Sequence, residues 1–135
     1  MTGPVVLDGL DAVRASADTA LGPTEWVEIT QERLDRFAAA CPGATAGWLL
    51  LSMTNLFMPE MVQVTGVSAG LNLGTGAVRF TEAELLPGTR VRARGSIDSV
   101  EEARGGVQTT IHIQVESDAS PAPVLTVDAI SRWLD

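Results

Sequence analysis

The most informative segment for the architecture of this chain is Ala46-Gly-Trp-Leu-Leu-Leu-Ser-Met-Thr-Asn-Leu-Phe-Met58. As an α-helix, this segment has apolar side chains on nearly every face, so neighbouring elements must cover most of its surface. It is too short, and too often interrupted by polar residues, to span a bilayer. We therefore predict a buried central helix from about Ala46 to Phe57, which Pro59 ends.

A shorter helix is predicted just before it. Thr30 is a suitable N-cap, because its hydroxyl can accept a hydrogen bond from an amide of the first turn. Pro42-Gly43 ends this helix. Its apolar face has helical spacing and consists of Leu34, Phe37, Ala38 and Cys41.

The chain after Pro59 has the pattern of strands. Residues 91–97 and 107–115 alternate apolar and polar side chains, which predicts a long antiparallel hairpin with one solvated face. Aligning the two runs about a loop at residues 101–106 places Arg90 opposite Glu116. Further strands are predicted at residues 61–64, 68–73, 77–81 and 124–134.

Composition bounds the class of protein. A chain of 135 residues, 45% of them hydrophobic, fits one domain over residues 1–135, in which residues 1–22 are the least defined part. The net charge of −8 and the lack of a basic run argue against nucleic acid or an anionic membrane as partner. One cysteine cannot form an internal disulfide. The N-terminus has no basic region of a signal peptide, so we expect a cytoplasmic protein.

An apolar helix followed by a long antiparallel sheet is an α+β layout. The economical arrangement is a curved antiparallel sheet wrapped around the helix, which is the hotdog fold. The local sequence also resembles the MaoC-like hotdog family, in particular its (R)-specific enoyl-CoA hydratases. The similar segments cover nearly everything after residue 20 and lie at residues 26–37, 46–53, 70–74, 78–80, 86–93, 99–102, 106–108 and 130–133.

The resemblance implies a catalytic segment that this chain lacks. In the family, an Asp and then a His follow the first helix and activate water, and a longer overhang leads to Ala-His-Gly at the central helix. Here residues 37–48 contain no Asp, Glu, His, Lys or Tyr, and Thr45-Ala-Gly47 occupies the second motif with Ala46 in place of His. Water addition needs a general base within hydrogen-bond reach. We therefore predict no ordinary enoyl-CoA hydration.

Of the family's active site, this chain keeps the part that polarises the substrate carbonyl. In the family, the backbone amide at the start of the central helix bonds the thioester carbonyl, and a helix N-terminus presents unpaired amides with positive polarity. The resemblance therefore implies that Gly47 is a catalytic residue through its backbone amide. It implies Asn72 as the second, because Gly70-Leu-Asn-Leu-Gly74 aligns with a family segment near the acyl site.

At helical spacing, Trp48, Met53 and Phe57 are more often core residues than the lining of a tunnel, and Asn55 is either a pocket donor or bonded to a neighbouring backbone group. The predicted substrate-binding set is Thr45, Trp48, Met53, Asn55 and Phe57. No cofactor and no metal are predicted.

Three further residues have a chemical and a structural interpretation. His112, the only histidine, lies on the polar face of its strand, where solvent exposure or a cross-strand contact is favoured over catalysis. Cys41 is predicted to be a buried or half-buried structural residue. Asp128 is predicted to be a salt-bridge partner, with a surrogate catalytic acid as the alternative.

These observations predict a diverged MaoC-like protein that binds a hydrophobic acyl or polyketide-type carbonyl compound of secondary metabolism. It would act as a cyclase, isomerase or dehydratase-like enzyme without the Asp/His pair. The alternatives are a non-catalytic subunit of a hetero-oligomeric MaoC-like hydratase and a ligand-binding module. We expect a homodimer, or else a hetero-oligomer with an intact MaoC-like subunit.

Overall fold

A computed structural model describes residues 3–81 and 84–135 of the chain. It contains three helices and eight strands within these residues. In chain order the elements are β1 (Val5–Asp8), α1 (Leu10–Arg14), β2 (Ala20–Leu21), β3 (Val27–Glu28), α2 (Gln31–Ala40), α3 (Ala46–Met61), β4 (Val62–Thr65), β5 (Ala69–Phe80), β6 (Arg90–Ala103), β7 (Gly106–Ser117) and β8 (Leu125–Leu134). The described helices include none that is long and apolar enough to span a membrane.

The main sheet has the strand order β2-β6-β7-β8-β5, and β3 also pairs with β6. All its pairings are antiparallel, whereas β1 and β4 form a separate parallel pair. The predicted α+β layout is therefore confirmed. The buried side chains of α3 join those of the sheet in one core, which contains Leu49, Leu50, Met53, Phe57 and Met61 from the helix.

The hairpin of β6 and β7 has the predicted alternation. On β7 every second residue from Val107 to Ser117 is buried, and those between them are partly exposed. One face of the sheet, the inner face, therefore packs against α3, and the other, the outer face, is polar. Strands with this period are amphipathic because successive side chains point to opposite faces.

The register of this hairpin differs from the prediction. Arg92, not Arg90, lies opposite Glu116. The strands continue to Ala103 and Gly106, so the connection is a two-residue turn instead of the predicted six-residue loop. A bulge between Ile97 and Ser99 then adds one residue to β6. Both features shift the pairing, and neither changes the alternation from which the hairpin was predicted.

The prediction that Pro59 ends the central helix was wrong. Proline removes one amide donor but leaves the following amides available. The helix continues through Met61, and the amide of Val62 donates to the carbonyl of Met58. Met61 is fully buried. The helix therefore extends to the residue that anchors its last turn in the core.

Strand β5 is a single twelve-residue strand, not the two short strands predicted. Its pairing with β8 shifts between Asn72 and Gly74 and again between Thr75 and Val78. Ten of its twelve residues are exposed, and they include the large apolar side chains of Leu71, Leu73 and Phe80. Within the described residues, its second edge has no partner strand. A long apolar edge of this kind is a ready site for pairing with another chain.

Candidate functional site

A cavity of about 460 Å³ lies at the N-terminus of α3. Thr45 is the N-cap residue, but its side chain makes no capping hydrogen bond. The amide of Trp48 donates to the Thr45 carbonyl at 3.1 Å. The amides of Ala46 and Gly47 precede the first position that has an acceptor within the helix. This end of the helix therefore presents polarised N–H groups to a cavity that Thr45, Ala46 and Gly47 line.

The ring of Phe80 lies directly over Gly47. A β-carbon at position 47 would stand 2.7 Å from Cδ1 of Phe80, closer than two carbons approach without displacement. Phe80 in turn contacts Trp48 with a distance of 5.4 Å between ring centroids, and Trp48 is 53% exposed. Glycine at position 47 therefore allows an aromatic wall to form beside the helix end.

Glu84 also lines this cavity, and the sequence analysis missed it. It lies in the connection between β5 and β6, and its carboxylate is the single ionisable side chain among the described lining residues. No periodicity or motif marks it, because Glu82-Ala-Glu84 before Leu85-Leu86-Pro87-Gly88 has the pattern of an ordinary solvated loop. Its proximity to Gly47 arises only from the return of the chain after β5.

A second cavity, of about 430 Å³, lies beside the C-terminal half of α3 and is lined by residues of β5 and β8. Asn55 and Asn72 both line it. The side-chain oxygen of Asn72 accepts a hydrogen bond from the amide of Gly74 at 3.0 Å, which leaves its NH₂ group able to donate. Gly70 and Trp133 both line this cavity. The Trp133 ring packs so closely on Gly70 that a β-carbon at position 70 would stand 2.5 Å from it.

The structure separates residues that the sequence placed in one site. Gly47 and Asn72 line different cavities, which have no lining residue in common. Met53 and Phe57 are buried in the core, with exposed fractions of 3% and 0%. Neither of them lines either of the two cavities at the ends of α3. The helix thus has a cavity near each end, and Met53 and Phe57 lie in the core between them.

The connection from α2 to α3 contains five residues, Cys41 to Thr45, and all are exposed. Cys41 is therefore not the buried or half-buried residue that was predicted. It is the C-cap of α2, a helix with no buried residue. An apolar stripe predicts which face turns inward, but burial depends on how deeply the helix packs. The predicted N-cap of α2 is confirmed, since Thr30 Oγ1 accepts from the Arg33 amide at 3.1 Å.

His112 and Asp128 form a cross-strand pair on the outer face of the sheet. His112 Nδ1 lies 2.8 Å from Asp128 Oδ1, and each side chain is 33% exposed. The predicted cross-strand contact of His112 is confirmed, and Asp128 is its partner. Neither residue lines either of the two cavities at the ends of α3.

Solved structures with the same architecture identify the fold. The monoamine oxidase regulatory protein from Archaeoglobus fulgius superposes with a TM-score of 0.70 at 13% identity, covering 99% of each chain. The MaoC-like dehydratase from Rhodospirillum rubrum has a TM-score of 0.68 at 8% identity and covers 89% of this chain and 94% of its own. The protein thus has the hotdog fold.

The family follows from a closer sequence relative. The 3-hydroxyacyl-thioester dehydratase Z of Mycobacterium tuberculosis is 32% identical over 140 residues, covering 89% of this chain and 92% of the relative. No protein-family model matches the chain. At this identity and coverage, the chain belongs to the MaoC-like hydratase and dehydratase family.

Proposed function

We propose that this protein binds a hydrophobic acyl thioester, or a related polyketide-type carbonyl compound, in the cavity at the N-terminus of α3. The carbonyl oxygen would accept a hydrogen bond from the Gly47 amide. The observation that carries the proposal is the uncapped first turn of α3, which faces a cavity with an aromatic wall. Donors aimed at a carbonyl oxygen stabilise the negative charge that develops there during reaction.

The proposed chemistry differs from that of hydratases with an Asp/His pair. The only histidine of the chain lies on β7, and the α2–α3 connection holds no acid. The alignment with the mycobacterial relative spans 140 positions, whereas 89% of 135 residues is about 120, so about 20 aligned positions have no counterpart in this chain. A shortened α2–α3 connection is consistent with this difference.

Glu84 is the group that we assign to proton transfer. A polarised carbonyl acidifies the C–H bonds on the neighbouring carbon, and isomerisation and aldol-type cyclisation of a thioester begin with loss of that proton. In isomerisation of a 3-enoyl thioester, the Glu84 carboxylate would take a proton from C2, and the C–H electrons would form an enolate whose oxygen accepts from the Gly47 amide. The enolate electrons would then form the C2–C3 double bond, and the C3–C4 π electrons would take the proton back from Glu84 at C4.

Exchange of the C2 protons tests this proposal without knowledge of the natural substrate. Octanoyl-CoA and octanoyl-pantetheine would be incubated with the protein in D₂O, and loss of the C2–H signal would be followed by NMR. We expect exchange that falls about 100-fold in Glu84→Gln and is unchanged in Glu101→Gln, a matched exposed acid on the outer face. Hydration of crotonyl-CoA should stay near background.

Each result has a distinct meaning. Exchange that persists in Glu84→Gln rejects the role of Glu84. Failure of both thioesters to bind, measured by calorimetry, rejects the acyl site itself. Binding without exchange supports a ligand-binding module, the alternative without turnover. Rapid crotonyl-CoA hydration rejects the loss of ordinary hydratase chemistry.

The exposed edge of β5 favours a second candidate, in which the chain is one subunit of a larger assembly. Its apolar side chains and unpaired backbone groups are suited to pairing with another hotdog edge. We expect a homodimer formed through this strand, and native mass spectrometry of the purified protein measures it. A monomer that dimerises only with a second MaoC-like chain would favour the non-catalytic subunit instead.

A further inference from the structure

Three adjacent strands bring metal-ligating side chains together on the outer face of the sheet. Asp98 lies on β6, His112 on β7 and Asp128 on β8. One ligand atom from each residue lies within 4.8 Å of the other two. We propose that this Asp98–His112–Asp128 cluster binds a divalent first-row transition-metal ion, a class represented by Zn²⁺.

The sheet geometry builds the cluster. His112 lies opposite Asp128 on one side and opposite Ser96 on the other. The bulge between Ile97 and Ser99 inserts Asp98 as an extra residue beside this row. Ser96 Oγ donates to Asp98 Oδ1 at 2.8 Å, which holds the carboxylate on the outer face. The regular alternation of β6 already places Asp98 on the outer face with Ser96, because the two residues are two positions apart.

The guanidinium groups near the cluster do not neutralise its two carboxylates. Two carboxylates so close together repel unless a positive group lies between them. The neighbouring guanidinium groups of the outer face have other partners: Arg92 and Arg94 contact Glu116, Arg90 contacts Asp118, and Arg132 contacts Gln108. In the part of the chain that the structure describes, no Lys or Arg forms an ion pair with Asp98 or Asp128.

The ligand types select the class of ion. An imidazole nitrogen with two carboxylates suits zinc and its neighbours, whereas Mg²⁺ and Ca²⁺ prefer all-oxygen sites. Adjacent ligand atoms on one zinc ion are about 3.3 Å apart, given bond lengths near 2.0–2.1 Å and tetrahedral angles. His112 Nδ1 and Asp128 Oδ1, at 2.8 Å, are already close to that separation. Asp98 is exposed, and its Oδ2 takes no part in the hydrogen bond from Ser96, so this oxygen is available to a metal ion. Water would complete the coordination.

Calorimetric titration of untagged, chelator-treated protein with ZnCl₂ tests the site, since a histidine tag would itself bind zinc. We expect one Zn²⁺ per chain, with affinity reduced at least 10-fold in His112→Gln and in Asp98→Asn. Glu101→Gln, an exposed acid on the same face, should bind like the unaltered protein. MgCl₂ in excess should not displace the zinc. Circular dichroism of each metal-free variant would establish that it is folded.

Asp98→Asn should fold like the unaltered protein, because Asp98 is exposed and lies outside the His112–Asp128 pair. Its loss of zinc affinity can therefore not be attributed to misfolding. Cobalt provides an independent measurement, since the visible absorption of bound Co²⁺ changes when an imidazole ligand is lost. Absence of binding overturns the proposal. Equal affinity in His112→Gln also overturns it, because the heat would then come from loose association with surface carboxylates. Neither result bears on the cavity at the start of α3.

Discussion

The inner and outer faces of the sheet use the same strands for different purposes. On β7 the inner residues are buried against α3, whereas the outer residues hold the polar contacts between neighbouring strands. The inner face is constrained by close packing, in which a lost methyl group is felt. The outer face is constrained only by charge and hydrogen bonding. This fold can therefore change its surface chemistry without changing its core.

The largest expected difference is between two adjacent residues of β7. Ile113→Ala should lower the free energy of unfolding by about 2–5 kcal/mol, because Ile113 is fully buried and its removal leaves a cavity. Gln114→Ala, which points to the outer face, should change it by about 0.5 kcal/mol or less. Urea unfolding of both variants measures the contrast. Equal losses would mean that the two faces do not differ in this way.

A smaller effect is expected where the inner layer meets the helix end. Gly47→Ala should destabilise the protein by about 1–3 kcal/mol, because the added methyl group meets the Phe80 ring. In a Phe80→Ala background the same change should be neutral or should stabilise by up to about 1 kcal/mol, since alanine is the better helix former. Unfolding of the four proteins of this cycle measures the coupling. The same cost in both backgrounds would show that the ring contact is unimportant.

Ion pairs of the outer face should contribute less. Arg92 Nε lies 3.2 Å from Glu116 Oε2, and both side chains are about three-quarters buried. Glu116→Gln should cost at most about 1 kcal/mol, and the cost should shrink in high salt. Unfolding at low and high ionic strength measures both, with Glu101→Gln as the unpaired control. A loss as large as that of Ile113→Ala would show that an ion pair of the outer face stabilises the protein as much as core packing on the inner face.

The smallest effect is expected at Asp118, where pH provides the test. Hydrogen bonds from the Arg90 backbone amide, and then from its side chain, lower the pKa of Asp118 below 3.8. The stabilisation is therefore present above the ordinary pKa and is lost as pH falls through the lower pKa of the folded state. Asp118→Asn should lower the melting temperature slightly at pH 7, and the difference from the unaltered protein should vanish in strong acid. A difference that grows on acidification would reverse this assignment.

The sequence predicted what local periodicity controls. The apolar helix, the alternation of β6 and β7 and the Thr30 cap all depend on residues close together in the chain. The register of β6 and β7 could not be predicted in the same way, because nothing in the sequence distinguishes Asp98, the bulge residue, from other polar strand residues. Nor did Cys41 reveal its exposure, which depends on how shallowly α2 packs.

The candidate site was predictable only in part, for the same reason. Thr45 and Gly47 are neighbours in sequence and share a cavity. Glu84 reaches them only through the path of the chain after β5, and Asn72 lies opposite Ser131 near the other end of α3. Such proximity is a property of tertiary structure. The local motif around Gly47 contains no information about which distant segments pack beside it.

The parallel pairing of β1 with β4 has a consequence for the order in which the chain folds. Val5 pairs with Val62, and β2 and β3 pair with β6, which is later still. During synthesis, β1, β2 and β3 therefore have no pairing partner until β4 and β6 have been made. Contacts between such distant segments slow folding, because the intervening loop must first be closed. We expect refolding to be limited by the arrival of these early strands, with the β6–β7 hairpin formed before them.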